Sequence, residues 1–323
     1  MQNTYKPEGL IMGTYAVREL LSLGRVGIER ALQTGMILES TALMCDEEMN
    51  LHVDLRGMIG IIPRSEVCYY KDGAPVKDIA IITRVGKPVC FKVIGIEERN
   101  GAAVAILSRR EAQKECMRNF ISDLIPGDIV CSRVTHLEPF GAFVDVGCGI
   151  VSLLSVDCIS VSRFTHPRDR LSCGMVISTV VRSLDPIHGR VFVSLRELLG
   201  TWEENAAMFS AGQTVTGIIR SVESYGIFVE LAPNLAGLAE LRGDVVESIQ
   251  RDGCGKTAAV FIKSIIPERM KIKLVVVDTC PRETEAPRIK YFVDTEKVTH
   301  IDRWQYSPQS CARVIETVFH ENF

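Results

Sequence analysis

The sequence predicts a mainly β protein in which small five-stranded barrels follow one another and are joined by short α-helical linkers. Three segments open alike, each with a glycine followed by alternating apolar residues, at Gly35, Gly127 and Gly212. The unit recurs about every 85–90 residues, a period typical of tandem small domains, because solenoid units are roughly 20–50 residues long. A stretch with helical periodicity precedes each opening glycine, at 16–33, 108–124 and 195–209.

Strand signals come five at a time within each unit. In the second unit they fall at about 128–137, 141–146, 149–154, 175–185 and 190–195. A longer polar connection separates the third strand from the fourth. Five short strands with a long connection after the third are typical of an OB-type barrel. On strand count alone, however, a small barrel or sandwich that binds no ligand is as well supported as an OB-type barrel.

The predicted organisation alternates helical segments with barrels. In chain order it is an N-terminal helical segment (1–34), a degenerate first OB-like repeat (35–110), a helical linker (111–125), a second OB repeat (126–198), a helical linker (199–210), a third OB repeat (211–277) and a C-terminal extension (278–323). Apolar and polar residues alternate in the extension in a pattern that predicts a hairpin and a last strand. Trp304 and Tyr306 either cover the third repeat or contact a partner, and the sequence leaves both open.

Composition excludes several classes of protein. The net charge of the 323 residues is −3, which argues against a polybasic nucleic-acid binder held mainly by counterion release. The 11 cysteines are scattered singly, without a CxxC pair or zinc spacing, so we expect reduced core thiols and no structural metal. No Ser/His/Asp or Cys/His order indicates an enzyme, and nothing indicates a small-molecule cofactor.

Localisation follows from hydropathy. No apolar run approaches the roughly 18–20 residues that a membrane span needs, and the polar start is not a signal peptide. We therefore expect a cytoplasmic protein that does not associate with membranes.

The second strands of the three repeats align at 49–55, 140–146 and 225–231. Because side chains alternate across a strand, one face of each is apolar and predicts the core. These inward residues are Leu51, Val53, Leu55, Ala142, Val144, Val146, Ile227, Val229 and Leu231. The opposite face, predicted to be solvated, carries Phe143 with Asp145, Phe228 with Glu230, and His52 with Asp54.

Aromatic side chains on a solvated face predict a binding surface. Phe140 and Tyr225 lie at the rim of the turn, beside the outward Phe143 and Phe228, with one glycine in each pair. Two neighbouring rings can stack consecutive unpaired bases, worth about 1–3 kcal/mol per base. The alternative is that the rings pack on a neighbouring domain or on the linker helices.

Basic residues accompany this face. The fourth strands carry Lys92, Arg182 and Lys263 at what the sequence predicts to be one register, and Arg190 and Lys271 lie at the entry to the fifth strands. Long cations beside aromatic rings can hold phosphates.

The polar connection of the second repeat gathers further basic residues. Arg163, His166, Arg168 and Arg170 lie there with only Asp169 against them. This connection is either one wall of a binding groove or an ordinary polar loop.

These residues resemble the RNA-binding repeat of the bacterial ribosomal protein S-one (letter S, numeral one) family. The shared features are a Gly-opened first strand, an aromatic-Gly-x-Phe-Val second strand, a basic fourth strand and a Leu-Ser close. The similarity is strongest over 126–198, clear over 211–277, and depends on register and on "AILSRR" over 35–110. "LLGTWEEN" and "GIFVELAPNLAGLAE" look especially like the shorter members found in clostridia-like bacteria.

The resemblance implies roles for individual residues. The stacking aromatics of the family fall on Phe140, Phe143, Tyr225 and Phe228, and the Asp and Arg of its last turn fall on Asp185 and Arg190. The histidine of the family is replaced by Ser155 and Glu240, so that contact is lost. Repeat two is therefore the best candidate binder and repeat three the second. Repeat one retains only His52 and is expected to dock to protein.

The sequence thus predicts non-enzymatic binding of single-stranded RNA. On the resemblance, this is messenger RNA at the small (30S) ribosomal subunit. An alternative is an RNA-binding regulator or RNA-decay accessory that is not bound to ribosomes. From other classes, an enzyme with an unrecognised site or a structural adaptor also stays open.

Overall fold

The computed structural model describes residues 5–70, 73–99, 101–240, 253–281 and 288–319. After an irregular segment at 5–14, two helices precede the first barrel: α1 (Tyr15–Ser22) and α2 (Arg25–Thr34). The helices cross closely at Gly27, where a Cβ atom would lie 1.8 Å from the backbone oxygen of Leu20. Only glycine allows this approach.

Barrel one is a closed sheet of five strands. They are β1 (Leu38–Cys45), β2 (Leu51–Asp54), β3 (Ile59–Ile62), β4 (Pro88–Arg99) and β5 (Ala102–Ser108). The short helix α3 (Asp78–Ile82) lies in the connection between β3 and β4. The strand order is β1-β2-β3-β5-β4, with β1 paired to β4 and β3 parallel to β5.

A helix joins barrel one to barrel two. The helix α4 (Arg109–Asn119) begins directly after β5, and the Ser108 hydroxyl accepts a hydrogen bond from the Glu111 N–H (2.9 Å) as its N-cap. Barrel two then comprises β6 (Ile129–Glu138), β7 (Gly141–Asp145), β8 (Val151–Ser155), β9 (Val176–Asp185) and β10 (Arg190–Ser194), with α5 (Val156–Ile159) after β8.

A second linker leads to barrel three. It contains α6 (Trp202–Ala206), which begins with a capping box between Thr201 and Glu204. Barrel three comprises β11 (Thr214–Glu223), β12 (Gly226–Ala232), β13 (Leu235–Ala239), β14 (Thr257–Ile266) and β15 (Lys271–Cys280).

The predicted fold class is confirmed. All three sheets close, and each has its strands in the same order, first-second-third-fifth-fourth. The strands of barrel two lie within two residues of their predicted bounds. The predicted inward residues of barrels one and two are fully buried, because alternation along a half-buried strand places them against the core. Among the described residues, no helix is long and apolar enough to cross a membrane.

The irregular N-terminal segment joins barrels one and two. Buried Arg109 donates from Nε to Glu8 Oε1 (2.6 Å) and from Nη2 to Glu8 Oε2 (3.1 Å). The backbone N–H of Glu8 donates in turn to Asp145 Oδ2 of barrel two (2.7 Å). Buried apolar residues of both barrels form one continuous cluster, which is consistent with a tight junction.

The long connection of barrel two joins barrels two and three. Buried Arg170 donates to both carboxylate oxygens of Glu230 (2.7 and 2.5 Å). Arg220 of β11 donates to Glu230 Oε2 (2.7 Å) and to Asp169 Oδ2 (2.9 Å). The junction is therefore an ionic network in which a carboxylate of barrel three is shared by two guanidinium groups.

The C-terminal extension packs against barrels two and three. Its strands β16 (Arg303–Gln305) and β17 (Glu316–Val318) form a small antiparallel sheet. The Ile129 N–H of barrel two donates to the backbone oxygen of Thr299 (2.8 Å). Trp304 and Tyr306 are buried in the core cluster of barrel three. Of the two alternatives that the sequence left open, the extension covers the third repeat.

Candidate nucleic-acid interface

The aromatic pair of barrel two lies at the start of β7. The rings of Phe140 and Phe143 are 6.0 Å apart at 86°, an edge-to-face contact. Phe140 is 55% exposed and Phe143 is half-buried. Gly141 is required by a close approach, because a Cβ atom there would lie 2.5 Å from the backbone oxygen of Leu154. The pair therefore has one ring free in solvent and one anchored on the sheet.

Barrel three repeats this arrangement. Tyr225 and Phe228 are 6.1 Å apart at 88°, and Tyr225 is 65% exposed. Gly226 again meets the neighbouring strand, with a virtual Cβ 2.8 Å from the backbone oxygen of Ala239. Two barrels thus present the same geometry at the same register, and neither exposed ring is sealed beneath a neighbouring domain.

Cross-strand pairing adds residues that the sequence analysis missed. Phe143 pairs with Leu153 of β8, and Leu153 pairs with Phe192 of β10. In barrel three the same row runs from Phe228 through Leu238 to Lys273. Alternation within "RVFVSL" predicts that Phe192 points outward, a signal that lies in the fifth strand and not in the second.

The prediction that Asp145 and Glu230 lie on a solvated face is wrong. Asp145 is 1% exposed and Glu230 is 5% exposed. Asp145 accepts hydrogen bonds from the N–H groups of Glu8, Gly147 and Gly149 (2.7, 2.8 and 3.0 Å). Each carboxylate is buried by the segment that packs against the strand at that position. Asp54 of barrel one, in contrast, is exposed as expected.

Burial and charge together alter ionisation at the first junction. Burial raises the pKa of Asp145 to about 7, and the nearby Glu8 carboxylate adds to this rise. Burial would also raise the pKa of Glu8, but the bidentate ion pair with Arg109 holds it below its usual value. Glu8 is therefore the stably ionised member of the two.

The predicted shared register of the three fourth-strand cations is wrong for Lys92. Arg182 and Lys263 each lie at the bulge where the pairing with the fifth strand shifts. The bulge of barrel one falls on Ile94 instead, since Val93 pairs with Leu107 and Gly95 pairs with Ile106. Lys92 is two residues earlier and its Nζ pairs with Glu115 of α4 at 2.5 Å.

The cations near the two aromatic pairs differ in whether their side chains contact other residues. Arg182 is exposed, and its Nη1 contacts the Cys158 sulfur (2.7 Å) and Asp157 (3.5 Å). Among the described residues, the side chains of Lys263, Lys271 and Arg190 have no hydrogen-bond or ion-pair partner. Exposed ammonium and guanidinium groups of this kind are available for phosphate contacts.

Asp185 shapes the turn before Arg190. Its carboxylate accepts from the N–H groups of Ile187 and His188 (both 3.1 Å) and contacts the His188 ring at Nδ1 (2.7 Å). These hydrogen bonds to His188 lower the pKa of Asp185. Asp185 therefore positions the turn, and the cation beside it is left exposed.

The polar connection of barrel two is mostly a docking element. Arg170 is buried in the junction, and the His166 ring accepts from the Arg168 N–H (3.1 Å) to cap a short helical turn. Arg163 and Arg168 are exposed. Of the basic residues in this connection, only those two have side chains that extend freely into solvent.

Barrel one lacks the aromatic pair. His52 occupies the position of Phe143 and contacts Asp46 Oδ2 at 3.0 Å through Nε2. Met49 occupies the position of Phe140. Within the part of the chain that the structure describes, no group of three His, Cys, Asp or Glu residues could hold a metal ion.

Fold and site together define a class: tandem OB-fold barrels, two of which carry an aromatic pair on the second strand. No protein-family model matches the chain. The small ribosomal subunit protein bS1 of Rhodopseudomonas palustris is 30% identical over 191 residues, covering 58% of this chain and 32% of the relative. The bS1 protein of Leuconostoc lactis is 33% identical over 198 residues, which cover 59% of this chain and 44% of the relative.

A bS1 homolog of Bacillus cereus is 34% identical over 200 residues, covering 59% of this chain and 49% of the relative. The resemblance to the ribosomal protein S-one family is thereby confirmed. The chain spans less than half the length of each of these three relatives. Among solved structures, a multidomain protein with nucleic acid binding domains from Streptococcus pneumoniae is 13% identical over 78% of this chain and 75% of its own, with a TM-score of 0.23.

Proposed function

We propose that this protein binds single-stranded RNA by stacking unpaired bases on the aromatic pairs of barrels two and three. The observation that carries the proposal is the repeated geometry of Phe140 with Phe143 and of Tyr225 with Phe228. In each pair an exposed ring meets a half-buried ring edge-to-face at about 6 Å. An exposed ring at a fixed position can stack a base at little conformational cost.

Unpaired cations support the same function. Arg190 lies in barrel two, and Lys263, Lys271 and Lys273 lie in barrel three. They supply phosphate contacts without a large positive field, in keeping with the net charge of −3. Recognition would therefore depend on base stacking and a few backbone contacts, with little selection of sequence.

The names of the relatives extend the proposal to a place of action. Two of the three are named small ribosomal subunit protein bS1, and the third is named a homolog of it. We propose that the chain acts in the cytoplasm, binding messenger RNA at the small (30S) ribosomal subunit. Sedimentation of cell extract through a sucrose gradient tests this, because the protein should travel with small subunits. A protein that binds RNA but stays at the top of the gradient would instead be a free RNA-binding regulator or an RNA-decay accessory.

The central test removes the two exposed rings. The double variant Phe140→Ala/Tyr225→Ala should bind a short unstructured oligouridylate at least tenfold more weakly, measured by fluorescence anisotropy. Tyr15→Ala is a matched control, because Tyr15 is also highly exposed but lies on α1. It should bind as the wild type does.

Melting temperatures of both variants should match that of the wild type, since neither removes a buried side chain. RNA affinity that survives loss of both exposed rings would overturn the stacking mechanism.

A further inference from the structure

The loop between β16 and β17, residues 306–315 (the tail loop), is held in a fixed position against barrel three. Tyr306 is buried, and its N–H donates to the backbone oxygen of Ile315 (2.8 Å). The Ile315 N–H donates to the Ser307 hydroxyl (2.8 Å). Hydrogen bonds thus close the base of the loop, and buried Tyr306 packs that base into the core cluster of barrel three.

The apex of the tail loop and the aromatic pair of barrel three line the same cavity of about 530 Å³. Tyr225 and Phe228 line it from the barrel, and Cys311 and Arg313 line it from the tail loop. Cys311 is buried, whereas Arg313 is exposed. The third barrel therefore offers a groove with two walls.

The charges around this groove suit a phosphodiester. Arg269 lines it from the turn between β14 and β15, Lys271 from the start of β15, and Arg313 from the tail loop. Glu268, in the same turn, is the one carboxylate among the described residues that line the groove. Among the described residues, none of the three cationic side chains has a hydrogen-bond or ion-pair partner. Three free cations against one carboxylate leave a local positive excess on a chain whose net charge is negative.

We propose that the tail loop is the second wall of the barrel-three RNA site and that Arg313 binds a phosphate of the nucleotide stacked on Tyr225 and Phe228. This inference rests on the proposed function, because it assigns an additional contact to the same site. A guanidinium group can contact a phosphate with two parallel N–H donors. The aromatic pair fixes the base, and Arg313 fixes the backbone from the opposite side.

The test uses the full chain with barrel two silenced by Phe140→Ala/Phe143→Ala. In this background, Arg313→Gln should weaken binding of a short fluorescent oligouridylate about fivefold to tenfold. It should also reduce the slope of log affinity against log salt by about 0.7, the value for one phosphate on a single strand. Lys297→Gln is the matched control, because it removes one exposed tail cation that does not line the groove.

A second readout is independent of affinity. Ultraviolet irradiation of the complex with a 4-thiouridine oligonucleotide should cross-link a peptide that contains Cys311–Arg313. If Arg313→Gln and Lys297→Gln bind alike while Tyr225→Ala/Phe228→Ala abolishes binding, the proposed function stands and the role of the tail loop is overturned. If the silenced background binds no RNA at all, the proposed function of barrel three is overturned, and this inference with it.

Discussion

Asp145 and Glu230 occupy the same position in barrels two and three, two residues after the half-buried ring, and both are buried at the junction with the preceding part of the chain. Asp145 accepts from the Glu8 N–H, and Glu230 accepts from Arg170. The strand that carries the half-buried ring of each aromatic pair therefore also carries, two residues later, the carboxylate at the junction. In each barrel, one strand therefore links the proposed RNA-binding surface to the contact with the preceding segment.

The first prediction concerns pH. The pKa of Asp145 is raised to about 7 in the folded chain, mainly by burial, and lies near 3.9 when unfolded. The folded state then binds more protons between these values, so the stabilising contribution is complete below pH 4 and is lost as the pH rises towards 7. We expect the melting temperature to fall between about pH 4 and 7, and a ¹³C carboxyl signal absent from Asp145→Asn to titrate near neutrality.

Asp145→Asn supplies the control for the melting experiment as well. Its amide does not titrate, so the fall in melting temperature over this pH range should be smaller. A carboxyl signal that titrates near pH 4 would contradict the raised pKa.

The second prediction concerns the junction between barrels two and three. Arg170→Ala leaves Glu230 buried with Arg220 as its remaining partner, so we expect a loss of about 3 kcal/mol, the lower end for a broken buried ion pair. Urea denaturation measures this loss. The opened connection should also be cleaved faster by trypsin at Arg163 and Arg168. Arg163→Ala, in the same connection but exposed, should change stability by less than about 0.5 kcal/mol.

The third prediction separates the two rings of barrel two. Phe143 is half-buried on the sheet, so Phe143→Ala should cost about 1–2 kcal/mol of folding free energy as well as RNA affinity. Phe140→Ala should lose affinity with a stability change below about 0.5 kcal/mol. Chemical denaturation and anisotropy on the same samples measure both quantities. Equal stability losses would show that Phe140 is a structural ring.

The fourth prediction concerns salt. With a net charge of −3, binding should involve about two to four phosphates, which gives a slope of log affinity against log salt of about −1.4 to −2.8 on single strands. Titrations of oligouridylate at several salt concentrations measure this slope. A slope that corresponds to eight or more phosphates would show that electrostatics, and not stacking, dominates.

Much of this molecule could be predicted because its regularities are local. Alternation along the second strands identified Val144 and Val229 as core, and alignment of the same strands identified Phe143 and Phe228 as a recurring outward pair. The glycine between the rings was recognised, although the structure shows that close approach to the neighbouring strand is the reason for it.

What could not be predicted depends on distant partners. Asp145 is buried by Glu8, 137 residues earlier, and Glu230 by Arg170, 60 residues earlier, and no local pattern encodes either contact. Lys92 resembles Arg182 and Lys263 in charge, but residue type does not determine the register of a strand. The register of a fourth strand is set by its pairing with the fifth strand, in which Ser108 of barrel one and Ser194 of barrel two occupy equivalent positions.

Trp304 and Tyr306 complete the core of barrel three, although all five of its strands precede residue 281. During synthesis the barrel therefore emerges with part of its apolar interior still uncovered. We expect the nascent chain to hold this barrel in an open, chaperone-accessible form until the tail leaves the exit tunnel. A protein shortened at the end of β15 should accordingly be prone to aggregate, although every strand of the barrel is present.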